Sequence, residues 1–259
     1  MSNETNQISV TRSDFSKLLN LLKIFENICT DCDIKNGQFR CKSNDRQAII
    51  EMDMSSILQE NNLSFSLVKN KVALLKSFEL DDNIPLPEEK KNIIIESNES
   101  NYEIYDAFSR LIFRKPLPKY IDNQFMTQQD FASMISISDD KLIFSYDMNN
   151  YMKRRLANIT IGFQTDVILC KLLDTEAQLL AATTNNEDSS VVSKDIPLTR
   201  NFGTCQFKMI AQPFLLDIAS DLKLNCYETN KQGIYICRFD QSYYGVPISL
   251  YTLVKVVQQ

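Results

Sequence analysis

The chain has 259 residues, 44% of them hydrophobic and 24% charged, and a net charge of −5, which allows one large domain or two of about 100–150 residues with real cores. The acidic balance excludes nucleic-acid binding by uniform surface charge, although not by one basic face. No apolar run reaches the ~18 residues of a membrane span, the opening MSNETNQ is no signal peptide, and five glycines without a Walker or dinucleotide fingerprint exclude phosphate-cradling loops.

Ile8 to Val10 reads as a short strand. Thr11 caps the helix that follows, and the charge of Asp14 favours its N-terminus. Phe15, Leu18, Leu19, Leu22 and Phe25 recur at helical spacing. From Asn27 the period falls to two: Ile28, Thr30, Cys32 and Ile34 face one way, and Asn27, Cys29, Asp31, Asp33 and Lys35 the other. Asn36-Gly37 predicts a tight hairpin, because both residues tolerate positive φ. Phe39 and Cys41 face inward on the next strand, and Ala48, Ile50, Met52 and Met54 on the one after, with Ile49, Glu51 and Asp53 outward.

A strand over Leu63 to Val68 leads into a second helix, Lys69 to Leu80, buried through Val72, Leu75 and Phe78. Strands follow at Asn92 to Ser97, Tyr102 to Phe108 and Arg110 to Lys115, and Pro116-Leu117-Pro118 closes the half. Lys119 to Asp140 is a connector in which Thr127 to Ile135 has the makings of a short helix. The second half repeats the order at an offset of roughly 135 residues. Leu142 to Tyr146 is a strand, and Asp147 caps a helix to about Asn158. Ile159, Ile161 and Phe163 alternate as a strand, followed by strands at Val167 to Leu173, Gln178 to Thr184 and Thr204 to Ala211. Pro213 opens a fourth helix through Ser220, and strands at Leu222 to Glu228, Gly233 to Phe239 and Pro247 to Val256 end the chain. The expected fold is α+β: two topologically similar domains, 1–118 and 141–259, each with two helices on antiparallel sheets, joined by a connector at 119–140.

The sequence has no histidine, which removes the commonest general base and metal ligand. Its seven cysteines read as buried reduced thiols of a cytosol-like compartment. Cys29 and Cys32 form a CxxC but point to opposite strand faces, with only Cys41 as a third neighbour, so no metal site is expected. The adjacent carboxylates Asp81-Asp82 and Asp139-Asp140 read as turn residues. No cofactor and no enzymatic activity are expected; only a Cys or Asp nucleophile of unusual type would remain.

Two αβ halves in one order, joined by a long connector, resemble a subunit of a DNA polymerase sliding clamp of the two-domain, trimeric type. The resemblance is carried by the opening unit with Gly37 in its hairpin, the passage Leu63 to Leu80, and the closing run from Gly233 through Tyr251 to Val254. It implies a homotrimeric ring around double-stranded DNA, with a DNA polymerase and a clamp loader as partners, in the cytoplasm and away from any membrane. Scarce glycine and abundant asparagine point to a viral or phage version, acting in the host cytoplasm or at a viral replication site.

In such a clamp, bases lie on helix faces opposite the core and contact phosphate without sequence preference. The matching residues are Lys17 and Lys23 on the first helix, Lys69, Lys71 and Lys76 on the second, and Lys153, Arg154 and Arg155 on the third. The fourth helix shows Asp217, Ser220 and Asp221 without a base, so three helices are expected to contribute. The resemblance also implies a hydrophobic peptide pocket under the connector, formed by Ile49, Phe125, Met126, Ile234, Tyr251 and Leu253, and a strand-to-strand subunit seam between Arg110, Leu111, Ile112 and Phe113 on one side and Gln178, Leu179 and Leu180 on the other. Two alternatives share these residues: a monomeric clamp-like factor holding DNA by charge alone, and a viral structural or assembly protein using the repeat for protein contacts.

Overall fold

The computed structural model describes residues 6–25, 29, 31–43, 48–58, 63–66, 78, 86–87, 91–98, 101–116, 128–135, 137–164, 167–181, 191–210 and 220–256. By its contacts the chain divides into two units, 1–46 with 50–127 and 244–246, and 47–49 with 128–243 and 247–259.

The first unit opens with β1 (Asn6–Thr11) and α1 (Arg12–Phe25). The Thr11 hydroxyl accepts from the Asp14 amide at 3.1 Å, so Thr11 caps the helix as its sequence predicts. The buried face of α1 is wider than the sequence implies, because Leu21 joins Phe15, Leu18, Leu19, Leu22 and Phe25 inside. Strands β2 (Asp31–Lys35) and β3 (Gln38–Lys42) form the predicted hairpin, with Lys35 opposite Gln38 and Asn36 and Gly37 at φ 51° and 70°. Both centres lie in the left-handed region, which a two-residue type I′ turn requires. Next come β4 (Ala48–Asp53), a one-turn helix α2 (Ser55–Leu58), β5 (Leu63–Ser66), β6 (Asn92–Ser97), β7 (Asn101–Asp106) and β8 (Leu111–Pro116). The strands run in the orders β1-β6-β7-β8 and β5-β2-β3-β4.

One buried ion pair ties this unit together. Arg12, at the start of α1, bridges to Asp106 at the end of β7 and donates to the Phe78 carbonyl at 3.1 Å. Burial pushes the Asp106 carboxyl up, but bonds from Ser109, Arg12 and the Phe108 amide outweigh it and hold the pKa below the usual 3.8. A depressed carboxylate contributes stability above its unfolded pKa and loses it as pH falls through the folded one. Unfolding should therefore become easier only below about pH 4. Asp106→Ala leaves Arg12 without its carboxylate partner and should cost about 3 kcal/mol, lowering the midpoint of thermal unfolding by about 10 °C.

The second unit repeats this plan. A short helix α3 (Gln128–Met134) and a 3₁₀ turn over Asp139–Lys141 precede β9 (Leu142–Met148) and α4 (Asn150–Gly162). Strands β10 (Val167–Leu172), β11 (Glu176–Ala181), β12 (Val191–Pro197), β13 (Cys205–Ile210), β14 (Leu222–Glu228), β15 (Ile234–Tyr243) and β16 (Val246–Lys255) follow. Their orders are β9-β14-β15-β16 and β13-β10-β11-β12. Writing β9 for β1, β10 for β2 and so on reproduces the first unit strand for strand. The fold is α+β with antiparallel sheets, as the sequence pattern predicts.

Three sequence expectations are corrected here. Ile159 and Ile161 belong to the last turns of α4, with Phe163 as its C-cap, rather than to a strand; the apolar alternation there is too short to override helix propagation. The cap of α4 is Asn149, whose side chain accepts from the Met152 amide at 2.9 Å, while Asp147 lies within β9. Strand β12 has no counterpart among the expected elements, since the polar run Ser193-Lys194-Asp195 interrupts its apolar letters. The predicted helices over 69–80 and 213–220 fall outside the described residues except for Phe78 and Ser220.

Candidate nucleic-acid, partner and subunit surfaces

Helix α4 presents its solvent side through Tyr151, Arg154, Arg155, Asn158 and Ile161. The Arg155 guanidinium carbon sits 5.7 Å from the Tyr151 ring centroid. That cation–π contact orders a long side chain at little entropic cost. Arg154 and Arg155 thus lie on an open face, whereas Lys153 does not. Lys153 is 2% exposed and donates to the Ser220 carbonyl and to Gln241 Oε1, each at 3.2 Å. The expectation that Lys153 opposes the core is therefore overturned. The buried stripe is Lys153, Leu156 and Thr160, at i, i+3 and i+7. A reading by letter type puts the lysine outside; its four-carbon stem and two oxygen acceptors let it sit inside.

Beside the start of α4 lies a cleft of about 430 Å³ whose polar lining is Asp147, Asn149, Asp221, Lys223, Asp240, Gln241 and Ser242. Asp221 accepts from the Asn150 amide at 2.9 Å and so neutralises part of the helix N-terminus.

On α1, Lys23 is exposed in the last turn, and Lys17 pairs with Asp14 at 2.8 Å in the first half of the helix. Hydrogen bonding from Lys17, opposed by burial and helped by Thr11, lowers the Asp14 pKa, so the carboxylate stays charged and offsets the lysine at neutral pH. Lys69, Lys71 and Lys76 lie outside the described residues.

Of the predicted pocket residues, the structure brings Ile49 and Tyr251 into one apolar cluster with Ile135, Ile236, Phe131 and Ile137. Tyr251 is buried there although it shares its strand parity with the exposed Pro247 and Leu253; Phe131 of α3 covers it, ring to ring at 5.1 Å and 74°. The Arg238 guanidinium carbon lies 5.7 Å from the same ring, and Arg238 Nε donates to Asp240 Oδ1 at 2.8 Å. Leu253, two residues along β16, is 61% exposed, and Ile234 at the start of β15 is half-buried; neither belongs to the cluster. Phe125 and Met126 lie outside the described residues. Phe131 and Ile135 are absent from the expected pocket, although their i, i+4 spacing marks one helix face.

The two strands expected at the seam differ in their place within the sheets. Among the described residues, strand β8 has a neighbour on one edge alone, and its residues Leu111 and Ile112 are exposed, Ile112 at 62%. Arg110 takes φ 56° in the turn before it, and Phe113 packs against Tyr102 at 5.9 Å. On the other side, Gln178, Leu179 and Leu180 lie on β11, which pairs with β10 and β12 on its two edges. Leu179 and Leu180 are buried. A strand with both ladders filled has no backbone groups left to offer; the outer strands of this sheet are β12 and β13, of which β13 carries an isolated bridge from Phe207 to Val256 and β12, among the described residues, carries none.

No family model matches the chain, and no curated protein sequence does. Solved structures do match it. Proliferating cellular nuclear antigen from Entamoeba histolytica aligns over 96% of this chain and 98% of its own, with TM-score 0.58 and 11% identity. The A. fulgidus proliferating cellular nuclear antigen structure with the C-terminal region of FEN-1 bound aligns over 98% and 100%, with TM-score 0.59 and 9% identity. The H. pylori beta clamp, in complex with 5-chloroisatin, aligns over 100% of this chain and 67% of its own, with TM-score 0.61 and 14% identity. The chain has the DNA sliding-clamp fold.

Proposed function

We propose that the chain is a non-enzymatic DNA sliding clamp, a processivity factor that assembles as a homotrimeric ring around duplex DNA and tethers a polymerase. The observation that carries this reading is the duplicated topology with, among the described residues, an unfilled sheet edge in each unit, β8 in one and β12 in the other. An unpaired edge strand is a liability unless something covers it, and two different edges on one chain allow head-to-tail contacts that close into a ring. Paired β8 to β12, three copies would leave neither of these edges open.

Arg154, Arg155 and Lys23 supply the phosphate contacts, with Lys17 reduced by its carboxylate partner and Lys69, Lys71 and Lys76 completing the set. The net charge of −5 disfavours holding DNA by charge alone; closure around the duplex holds it instead. A clamp loader opens the ring, and polymerase peptides reach the surface around Tyr251 under the 119–140 connector, which joins domains 1–118 and 141–259. The FEN-1 tail bound to the A. fulgidus protein supports a peptide-docking role for this fold. The place of action is the cytoplasm, in a viral setting that of the host.

Threading tests this without a loader. The protein is mixed with linear duplex carrying one blocked end, the free end is then blocked with streptavidin, and salt is raised. Protein retained until a restriction cut frees an end is the expected result. Equal loss from open and doubly blocked duplex would refute encirclement.

A further inference from the structure

Helix α3 sits on the apolar cluster through two side chains one turn apart. Phe131 meets Tyr251 edge-on, and Ile135, whose amide bonds the Phe131 carbonyl at 2.9 Å, is buried against Ile236 and Tyr251. Gln129, Asp130, Ala132 and Ser133 on the same turns are exposed. Seven residues fall below the ~12–15 that an isolated helix needs in water, so the surface beneath sustains this one. That surface belongs to β15 and β16, whose ladder bonds run without α3. A short amphipathic helix laid in an apolar groove is a common mode of peptide recognition. Here the chain supplies the peptide itself.

We propose that α3 is a resident occupant of the Tyr251 groove, and that a partner's short helix with apolar residues one turn apart docks by displacing it. The inference deepens the peptide-docking reading above and rests on it only for who displaces the helix. Occupation in cis lowers the apparent affinity of every incoming peptide by the fraction of molecules with the groove open. It also keeps an aromatic surface covered while no partner is present.

The probe is a fluorescent synthetic peptide with this chain's own sequence from Gln128 to Ile137, followed by anisotropy. The unaltered protein should bind it at least tenfold more weakly than the Phe131→Ser protein, whose α3 has lost its anchor while Tyr251 and Ile236 remain. The same peptide with serine at the Phe131 position should bind neither. Equal binding to both proteins, or no binding to the Phe131→Ser protein, would overturn the proposal. Should that variant fail to fold, hydrogen exchange on the unaltered protein decides. Amides of α3 opening well before those of β15 and β16 support displacement, and amides opening only with those strands refute it. Neither measurement involves DNA or polymerase, so failure here leaves the ring reading standing, and failure of threading leaves this one.

Discussion

Reversing both exposed arginines of α4, Arg154→Glu with Arg155→Glu, should lower duplex affinity at least tenfold at about 0.1 M salt and flatten its salt dependence, by roughly 0.9 in log–log slope for each phosphate no longer neutralised. Both side chains lie on the open face of the helix, so the thermal midpoint should stay near its original value; surface changes of this kind fall within about 0.5 kcal/mol. Lys153→Met is the informative control. Its ammonium is held inside by Ser220 and Gln241, so the substitution should leave DNA affinity unchanged while altering stability. Filter binding or anisotropy across a salt series, beside a melting curve, separates the two residue types. Should Lys153→Met weaken DNA binding as much as the arginine pair, the assignment of the open face would be wrong.

The second large effect concerns the seam. Ile112, 62% exposed on the free edge of β8, becomes interior when that edge is paired. Ile112→Asp removes roughly 2 kcal/mol of apolar burial and places an unpartnered carboxylate in the seam at a further cost of a few kcal/mol. At about 4 kcal/mol in all, each interface weakens by about a thousandfold. The variant should sediment as a monomer at micromolar concentration, with a far-ultraviolet circular dichroism spectrum like that of the unaltered chain. Ala177→Asp on β11 would instead unfold the unit, because that strand is interior already.

The contrast between β8 and β11 explains what can be read from the sequence. The period-two alternation of β3 and β4, the Asn36-Gly37 turn and the Thr11 cap are local signals, and each appears where its residues predict. Much of the duplicated order follows from such signals, but not the counterpart of β4, because the sequence predicts a strand over 159–163, where α4 continues, and none at Val191–Pro197. Which strand of a sheet ends at its edge is not local. It depends on whether a later segment adds itself to the ladder, and β12 does so with the mixed letters Val191–Pro197. The face of α4 departs from its pattern for a related reason. A lysine scores as polar in any pattern, and only the distant Ser220 carbonyl and Gln241 amide show that position 153 is lined with acceptors. Strand parity places Tyr251 outward, and nothing in its own strand tells that α3 covers that side. Such corrections arise where the environment of a residue is built by segments tens of residues away.

The sedimentation mass of the unaltered protein at micromolar concentration bears most directly on ring closure. Three times the chain mass of 29.9 kDa is the predicted result. A species of 29.9 kDa that persists as concentration rises would contradict it, because β8 and β12 would then be edges that no second copy covers.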